Sequence, residues 1–411
     1  MRLTNQVRIE TDEEILDKLG YATNKLWNTA NYLTRQKYEK DKTFLWYFDY
    51  CKQLKNNFWY KQLPSQTAQA ILQKLDGSYR SWLKLRKSNE KAHIPGFRKK
   101  NSIFIIPVKY QQLQYIKEDS LLRMPLSKRF REENKIQNKF LFLKLLFPLK
   151  WNGKIKYVEL FKRNNKWLAS ITVEITEPKR TESSKSMSID LGIKNLATCF
   201  TPGKSIIYKG SEVLAVQRYF NKEIAKTDKT LSTQEKDRSK KLTILHSKKK
   251  KQTKHAIHSL SKSIIAFAKE NNIGKILLGD IRNIRKDKHF NKNSSQKLHS
   301  WLFGQLTQQL EYKAELAGIQ ILKVSERGTS RTCSGCGIIR KANRKYRGLY
   351  VCNNCNLKIN ADINGAINIY KMYQGINEPV VAAMAQPVVV QLWNKHNWMR
   401  QNSSKGRNLA L

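Results

Sequence analysis

Acidic residues are scarce in this 411-residue chain: 32 Asp and Glu stand against 78 Lys and Arg, leaving a formal net charge of +46. Self-repulsion on that scale opposes a compact fold unless a polyanion neutralises it, so nucleic acid is the expected partner and a small-molecule substrate is not. The excess is spread through Arg98-Lys99-Lys100, Lys248 to Lys251 and Arg340 to Arg347, which suggests an extended groove or several contact surfaces instead of one basic tail. Long apolar runs are also lacking. No stretch of 18 apolar residues occurs, which excludes a helical membrane span. The opening Met1-Arg-Leu-Thr-Asn-Gln has neither the apolar core nor the small-residue cleavage site of a signal peptide. The expected location is the cytoplasm, at the nucleoid through bound nucleic acid.

Cysteine is sparse, with six in all, yet four of them stand as Cys333-Ser-Gly-Cys336 and Cys352-Asn-Asn-Cys355, two CxxC pairs fifteen residues apart. Each CxxC turn points two thiolates to one side, and four thiolates satisfy the tetrahedral preference of a closed structural zinc site. Gly335 and Gly337 are expected to supply the tight turns. Two disulfides, or four unrelated buried thiols, are the alternatives, and metal-type spacing fits a reducing compartment.

The chain divides by pattern. Residues 11–93 read as a helical lobe, with Ile15, Leu19, Ala22, Leu26, Ala30 and Leu33 at helical spacing. A second helix begins near Leu63-Pro64-Ser65, with Ala68, Leu72, Leu75, Tyr79 and Trp82 on one side. Aromatic residues interleaved with Arg35, Lys84 and Arg86 suit either a surface that stacks bases or an ordinary core. Residues 1–10 and 94–177 read as a small β-barrel, with a hairpin turning at Lys162-Arg163-Asn164-Asn165. From Ser186 the order is RNase H-like: hairpin strands through Asp190 and Phe200, helical segments over 211–270, a buried strand from Lys275 to Asp280, a helix from Trp301 to Ala317 and a strand from Ile319 to Val324. This α/β region spans 186–326 and 356–372, with the cysteine segment 327–355 inserted. The tail 373–411 shows no clear period and is expected to be flexible.

Asp190 ends a central strand before the turn at Gly192, and Asp362 opens a helix. Two-metal hydrolysis of a phosphodiester needs carboxylates of this kind gathered from distant segments. Taken singly, the first also reads as a turn residue and the second as an N-cap.

Three motifs together, Ser188-Ile-Asp190-Leu-Gly192-Ile-Lys-Asn195, Thr329-Ser330-x-x-Cys333-x-x-Cys336-Gly337 with the second CxxC, and Asp362-x-Asn364-x-Ala366-x-Asn368, resemble the TnpB (OrfB) proteins of insertion sequences, compact relatives of type V CRISPR effectors. Lesser matches lie at Ile94 to Arg98 and Tyr312 to Gly318. The resemblance implies a RuvC (RNase H-like) nuclease domain with an inserted zinc ribbon, preceded by a wedge-type β-barrel carrying the helical lobe. It implies a guide RNA copied from the element end, double-stranded target DNA, structural Zn²⁺ and catalytic Mg²⁺. It makes Asp190 and Asp362 metal ligands, and Arg340, Lys341, Arg344, Lys345 and Arg347 a basic loop that draws single-stranded DNA to the cleft.

One departure stands out. The family's second motif ends its strand in Glu-Asp, whereas Ile276-Leu-Leu-Gly279-Asp280 carries glycine in the glutamate position. Glu326, ending the strand expected beside Gly279, can reach across the roughly 4.8 Å between neighbouring strands and take that ligand role. Its plain alternative is a strand-end acid paired with Arg327 or Arg331. Two further readings of the whole chain remain open: a guided DNA binder whose metal site has decayed, and an unguided zinc-ribbon nucleic-acid binder.

Overall fold

Alternate side chains of β1 (Arg2–Glu10), namely Leu3, Asn5, Val7 and Ile9, are buried while those between them face out, as a half-buried strand requires. The computed structural model describes residues 1–280, 303–346, 348–375 and 388–400. They fall into two compact units, 1–176 and 177–411. No helix among the described residues is long and apolar enough to cross a membrane.

In the first unit β1 is central to an antiparallel sheet. Its companions are β2 (Ile106–Lys109), β3 (Gln114–Ile116), β4 (Leu121–Pro125), β5 (Phe140–Leu145), β6 (Lys154–Arg163) and β7 (Lys166–Glu174), in the order β2-β6-β7-β1-β5-β4-β3. The β6–β7 hairpin turns on Asn164 and Asn165, both in the left-handed region at φ 50° and 58°, the conformation of a two-residue turn that matches strand twist. Helices α1 (Glu13–Asp41), α2 (Tyr47–Leu54), α3 (Phe58–Lys61) and α4 (Ser65–Arg86) follow β1 or precede β2, and α5 (Lys128–Glu133) lies between β4 and β5.

The stripe anticipated on α1 is buried at Leu19, Ala22, Leu26 and Ala30 but only half-buried at Ile15 and Leu33, because Leu16, Asn31 and Thr34 turn inward instead. Asn31 and Thr34 are tolerated there since the hydroxyls of Tyr79 and Tyr50 lie 2.6 Å from their side chains. Of the two readings of the second helix, Tyr79 and Trp82 follow the core one, and Arg98 stacks on Trp27 and Phe104 at 4.8 and 4.1 Å.

The second unit is three-layered. Its sheet contains β8 (Ser186–Asp190), β9 (Asn195–Thr201), β10 (Lys204–Lys209), β11 (Lys275–Asp280), β12 (Gln320–Ser325), β16 (Val388–Trp393) and β17 (Trp398–Arg400), in the order β12-β11-β8-β9-β10-β16-β17. β8, β9 and β10 form an antiparallel meander, while β11 runs parallel to β8 and β12 parallel to β11. The region between β10 and β11 holds α6 (Ser211–Thr233) and α7 (Lys240–Glu270). Met187, Ile189, Ile276 and Leu278 join α7 and α8 (Phe303–Leu316) in one core. Phe200, Ile207 and Leu277 face the other way, onto α9 (Ala361–Gln374). A small three-stranded sheet, β13 (Arg344–Tyr346), β14 (Leu349–Val351) and β15 (Lys358–Asn360), belongs to the cysteine segment.

Within the tail expected to be flexible, residues 388–400 form strands. Val388–Trp393 pairs parallel to β10, and Trp393 and Trp398 are buried in the core that contains α7. Three valines and two tryptophans carry too short a pattern to be read alone; β10, some 180 residues earlier, provides the edge that makes them strands. The start of α8 at Trp301 lies outside the described residues. Trp398 also packs edge-on against Tyr208, with ring centroids 5.4 Å apart. Trp398→Ala should therefore lower the unfolding free energy of the second unit by about 3–5 kcal/mol, read by denaturant titration, whereas a flexible tail would show no change.

Candidate metal centres

Ser188 and Asp190 alternate with Met187 and Ile189, so they point to the α9 side of the sheet, and the Ser188 hydroxyl donates to the Ala366 carbonyl at 2.6 Å. That bond seats α9 on β8. Asp362 is not the N-cap of α9: Asn360 accepts from the N–H groups of Asp362 and Ile363 at 3.0 and 3.4 Å. With capping done by Asn360, the Asp362 carboxylate is available elsewhere. It accepts from Asn195 Nδ2 at 2.7 Å and from Arg344 Nη2 at 3.3 Å. Asn195 starts β9, and the tight turn before it needs Gly192, where a Cβ would stand 2.5 Å from the Asn195 carbonyl.

β11 and β12 pair with Gly279 opposite Val324 and Asp280 opposite Ser325, so Glu326 follows directly at the end of the neighbouring strand. Its side chain lies over Gly279: a Cβ there would overlap the Glu326 carboxylate. On the opposite side Gly365 leaves room for Asp190, whose Oδ2 would be 2.6 Å from a Cβ at that position. The absent side chains of two glycines are thus filled by two carboxylates.

Asp190, although part of its surface is open, is densely surrounded. Burial, then the negative charge of Glu326, then that of Asp362 raise its pKa well above the usual carboxylate range, with Arg344 opposing. Burial also raises Asp362, against Asn195, Arg344 and Lys194. Mutual repulsion of this kind is relieved by a cation, and hard carboxylate oxygens suit a divalent one such as magnesium. The three acids therefore fit a cation chemically, though they are not drawn as close together as the cysteines are.

Those cysteines form a tight cluster. All four sulfurs lie within 4.8 Å of one another, with Cys333 to Cys355 and Cys336 to Cys352 at 3.6 Å, and none is in a disulfide. Tetrahedral zinc–thiolate bonds of about 2.3 Å place sulfurs about 3.8 Å apart, so the arrangement can hold a metal ion such as zinc. Both knuckles turn through a left-handed residue just after the second cysteine, Gly337 at φ 75° and Asn356 at φ 56°. Gly335, expected to serve a turn, has no such conformation, and Asn356 takes the equivalent place in the second knuckle. Burial pushes the Cys333 thiol up to about 12. Cys336 falls to about 6 because, against burial, the Ile338 backbone, Asn354 and two thiols hydrogen-bond its sulfur.

Of the basic loop, Arg340, Lys341 and Lys345 are exposed, Arg344 is turned inward onto Asp362, and Arg347 lies outside the described residues. The roles of Asn195 and Gly365 were not read from the sequence. Asn195 sits inside the Asp190 motif, and only the fold shows that its amide reaches the second carboxylate. The purified chain should carry about one equivalent of tightly held metal, as closed thiolate sites do, measured by atomic emission; Cys352→Ser should lose it, and a metal-free wild type would contradict the cluster's reading.

Two family models match this chain: a probable transposase family, OrfB_IS605, over residues 170–285, and a Cas12f1-like TNB domain over residues 303–369. TnpB-like protein ORF457 of Acidianus two-tailed virus is 27% identical over 91% of this chain and 87% of its own length. The putative RNA-guided DNA endonuclease InsQ of Escherichia coli K12 is 26% identical over 76% and 75%. The CRISPR-associated endodeoxyribonuclease Cas12f1 of Sulfoacidibacillus thermotolerans is 29% identical over half of each chain. Among solved structures, a Cas12f1–sgRNA–target DNA complex has 20% identity and a TM-score of 0.37, covering 90% of this chain and 98% of that one. The mini-RNA-guided endonuclease CRISPR-Cas_phi3 has 10% identity and a TM-score of 0.46, covering 94% of each. With one family model over 170–285, another over 303–369 and TnpB-like relatives along nearly its whole length, the chain is similar to the TnpB (OrfB) proteins.

Proposed function

We propose that the protein is an RNA-guided DNA endonuclease in which Asp190, Glu326 and Asp362 hold two magnesium ions at the end of a RuvC-type sheet. The observation that carries this reading is electrostatic: three acids from distant segments face one another, and both Glu326 and Asp362 raise the pKa of Asp190. A structural role gives no reason to keep such repulsion in a chain so rich in cations. Bound there, two magnesium ions would supply an activated water and stabilise the leaving 3′ oxygen of a DNA phosphodiester.

In this reading Asp190 is the central ligand, flanked by Glu326 across Gly279 and by Asp362 at the start of α9. Asn195 holds one Asp362 oxygen by its amide, which orients the carboxylate and favours its charged form against burial. Arg344 holds the other oxygen in the chain without metal. The cysteine cluster holds zinc, does no chemistry, and stiffens the segment that carries Arg340, Lys341, Arg344, Lys345 and Arg347 towards single-stranded DNA. The remaining excess of positive charge receives an RNA scaffold and an RNA–DNA heteroduplex through their backbones. Residues 1–10 and 94–177 act as the wedge and 11–93 as the recognition lobe. The relatives named as RNA-guided or CRISPR-associated endonucleases support this assignment.

Glycine at 279 favours one competitor, a guided binder that does not cut and acts as a repressor. The space at Gly279 is filled by Glu326, which favours relocation of the acid over its loss.

With magnesium, the RNA from the element's flank and a matched plasmid, the wild type should cut, and Asp190→Ala should reduce cutting by more than about 10³-fold while retaining RNA. Unchanged cutting by Asp190→Ala would defeat the assignment. Gly279→Ala should fold but displace the Glu326 carboxylate and cut at least about tenfold more slowly. Gly304→Ala, where a Cβ meets open space, serves as the control and should cut as the wild type does. Without divalent cation, Asp190→Asn should melt roughly 2–4 °C higher than the wild type, the gain that about 1 kcal/mol of relieved repulsion gives in a unit of this size. A lower melting point would show that the acids do not repel.

A further inference from the structure

The cysteine segment is clasped to α9 by side chains with no place in the chemistry above. Asn364, Asn368 and Lys371 are spaced four and three apart, hence on one face of the helix, and all are buried. Asn364 accepts from the Ser334 N–H at 2.9 Å and donates to the Thr332 carbonyl at 2.8 Å. Asn368 donates to the carbonyls of Thr329 and Thr332 at 2.8 and 2.7 Å. The Lys371 ammonium donates to the Ser334 carbonyl at 2.5 Å. Five hydrogen bonds therefore hold the stretch Thr329–Ser334, which contains the first metal-type cysteine, against the helix that carries Asp362 in its first turn.

Lys371 is the unusual member. A buried ammonium is costly unless it meets negative charge. Its acceptor, Ser334, lies inside the first knuckle between Cys333 and Cys336; burial lowers the pKa of the ammonium, and the two nearby sulfurs oppose that shift. Four thiolates around a divalent metal carry a net charge of −2, and a lysine held this close offsets half of it.

We propose that Asn364, Asn368 and Lys371 form a buried strap coupling the metal state of the cysteine cluster to the position of Asp362, with the Lys371 ammonium as counter-ion to the metal–thiolate centre. When metal leaves, the four sulfurs lose the ion that ties them together and the knuckle loosens, the acceptors at Thr329, Thr332 and Ser334 move off the helix, and the first turn of α9 loses its seating beside Asp190. Lys371, Asn364 and Asn368 act as positioning residues in this scheme. The part that reaches Asp362 rests on the carboxylate reading given above, whereas the counter-ion part does not.

The full chain with its co-purified RNA provides the test. Zinc release to a chromophoric chelator reports on the cluster, and bound Mn²⁺, followed by electron paramagnetic resonance and corrected by the Asp190→Ala chain, reports on the carboxylates. Lys371→Met should release zinc about 10–100-fold faster, the range typical of partners that surround metal ligands, and Lys371→Arg should restore most of the difference. Asn368→Ala, still holding its RNA, should bind Mn²⁺ at least about tenfold more weakly although it touches neither centre. Zinc release within twofold of wild type in Lys371→Met would overturn the counter-ion, and unchanged Mn²⁺ affinity in Asn368→Ala would overturn the coupling. If Asp190→Ala binds Mn²⁺ as the wild type does, the carboxylate reading fails instead, and zinc release alone then judges the strap.

Discussion

The gathering of Glu326 and Asp362 near Asp190, whose pKa burial and these two acids raise, is the constraint on which the proposed site depends. Like charges partly withdrawn from water cost free energy, and folding tolerates them where the surrounding contacts hold the three segments in place regardless. Those contacts are specific. The meander β8–β9–β10 fixes Asp190 and Asn195, parallel pairing of β11 with β12 fixes Glu326, and the Ser188 bond to Ala366 fixes the helix of Asp362. Around them, apolar layers on both faces of the sheet supply the burial that offsets the penalty.

Space is controlled as tightly as charge. Gly279 and Gly365 omit side chains where two carboxylates need room, and at both positions a methyl group would collide with a carboxylate oxygen. Among the described residues, Arg344 reaches Asp362 from the cysteine segment, so the two candidate metal centres are joined by an ion pair as well as by the hydrogen bonds on α9. These are the links by which, in the proposal above, loss of order at the cysteines would reach the acids.

Much of this was readable from residues. The CxxC spacing anticipated four converging sulfurs, since the local turn fixes where each pair points. Asn164-Asn165 announced its hairpin because asparagine tolerates the left-handed region. A glycine at the end of β11 directed attention to Glu326, since a parallel neighbour ending in an acid is the natural source of a replacement carboxylate. Other features depend on tertiary partners and leave little local trace. Val388–Trp393 becomes a strand by pairing with β10, Arg344 looks like one more basic loop residue until Asp362 is beside it, and Asn364 and Asn368 read as ordinary helix polars until Thr329 and Thr332 dock.

The account turns on Glu326 standing in for the acid missing at Gly279. The most direct measurement is magnesium-dependent cleavage of a guide-matched plasmid by Glu326→Ala alone and by the exchanged pair Gly279→Glu with Glu326→Ala. The account predicts that the single substitution silences the protein and that the exchanged pair cuts again, because a glutamate side chain at either strand end fills the same space. Cleavage by Glu326→Ala at the wild-type rate, or a wild type that is silent while Gly279→Glu alone cuts, would contradict it.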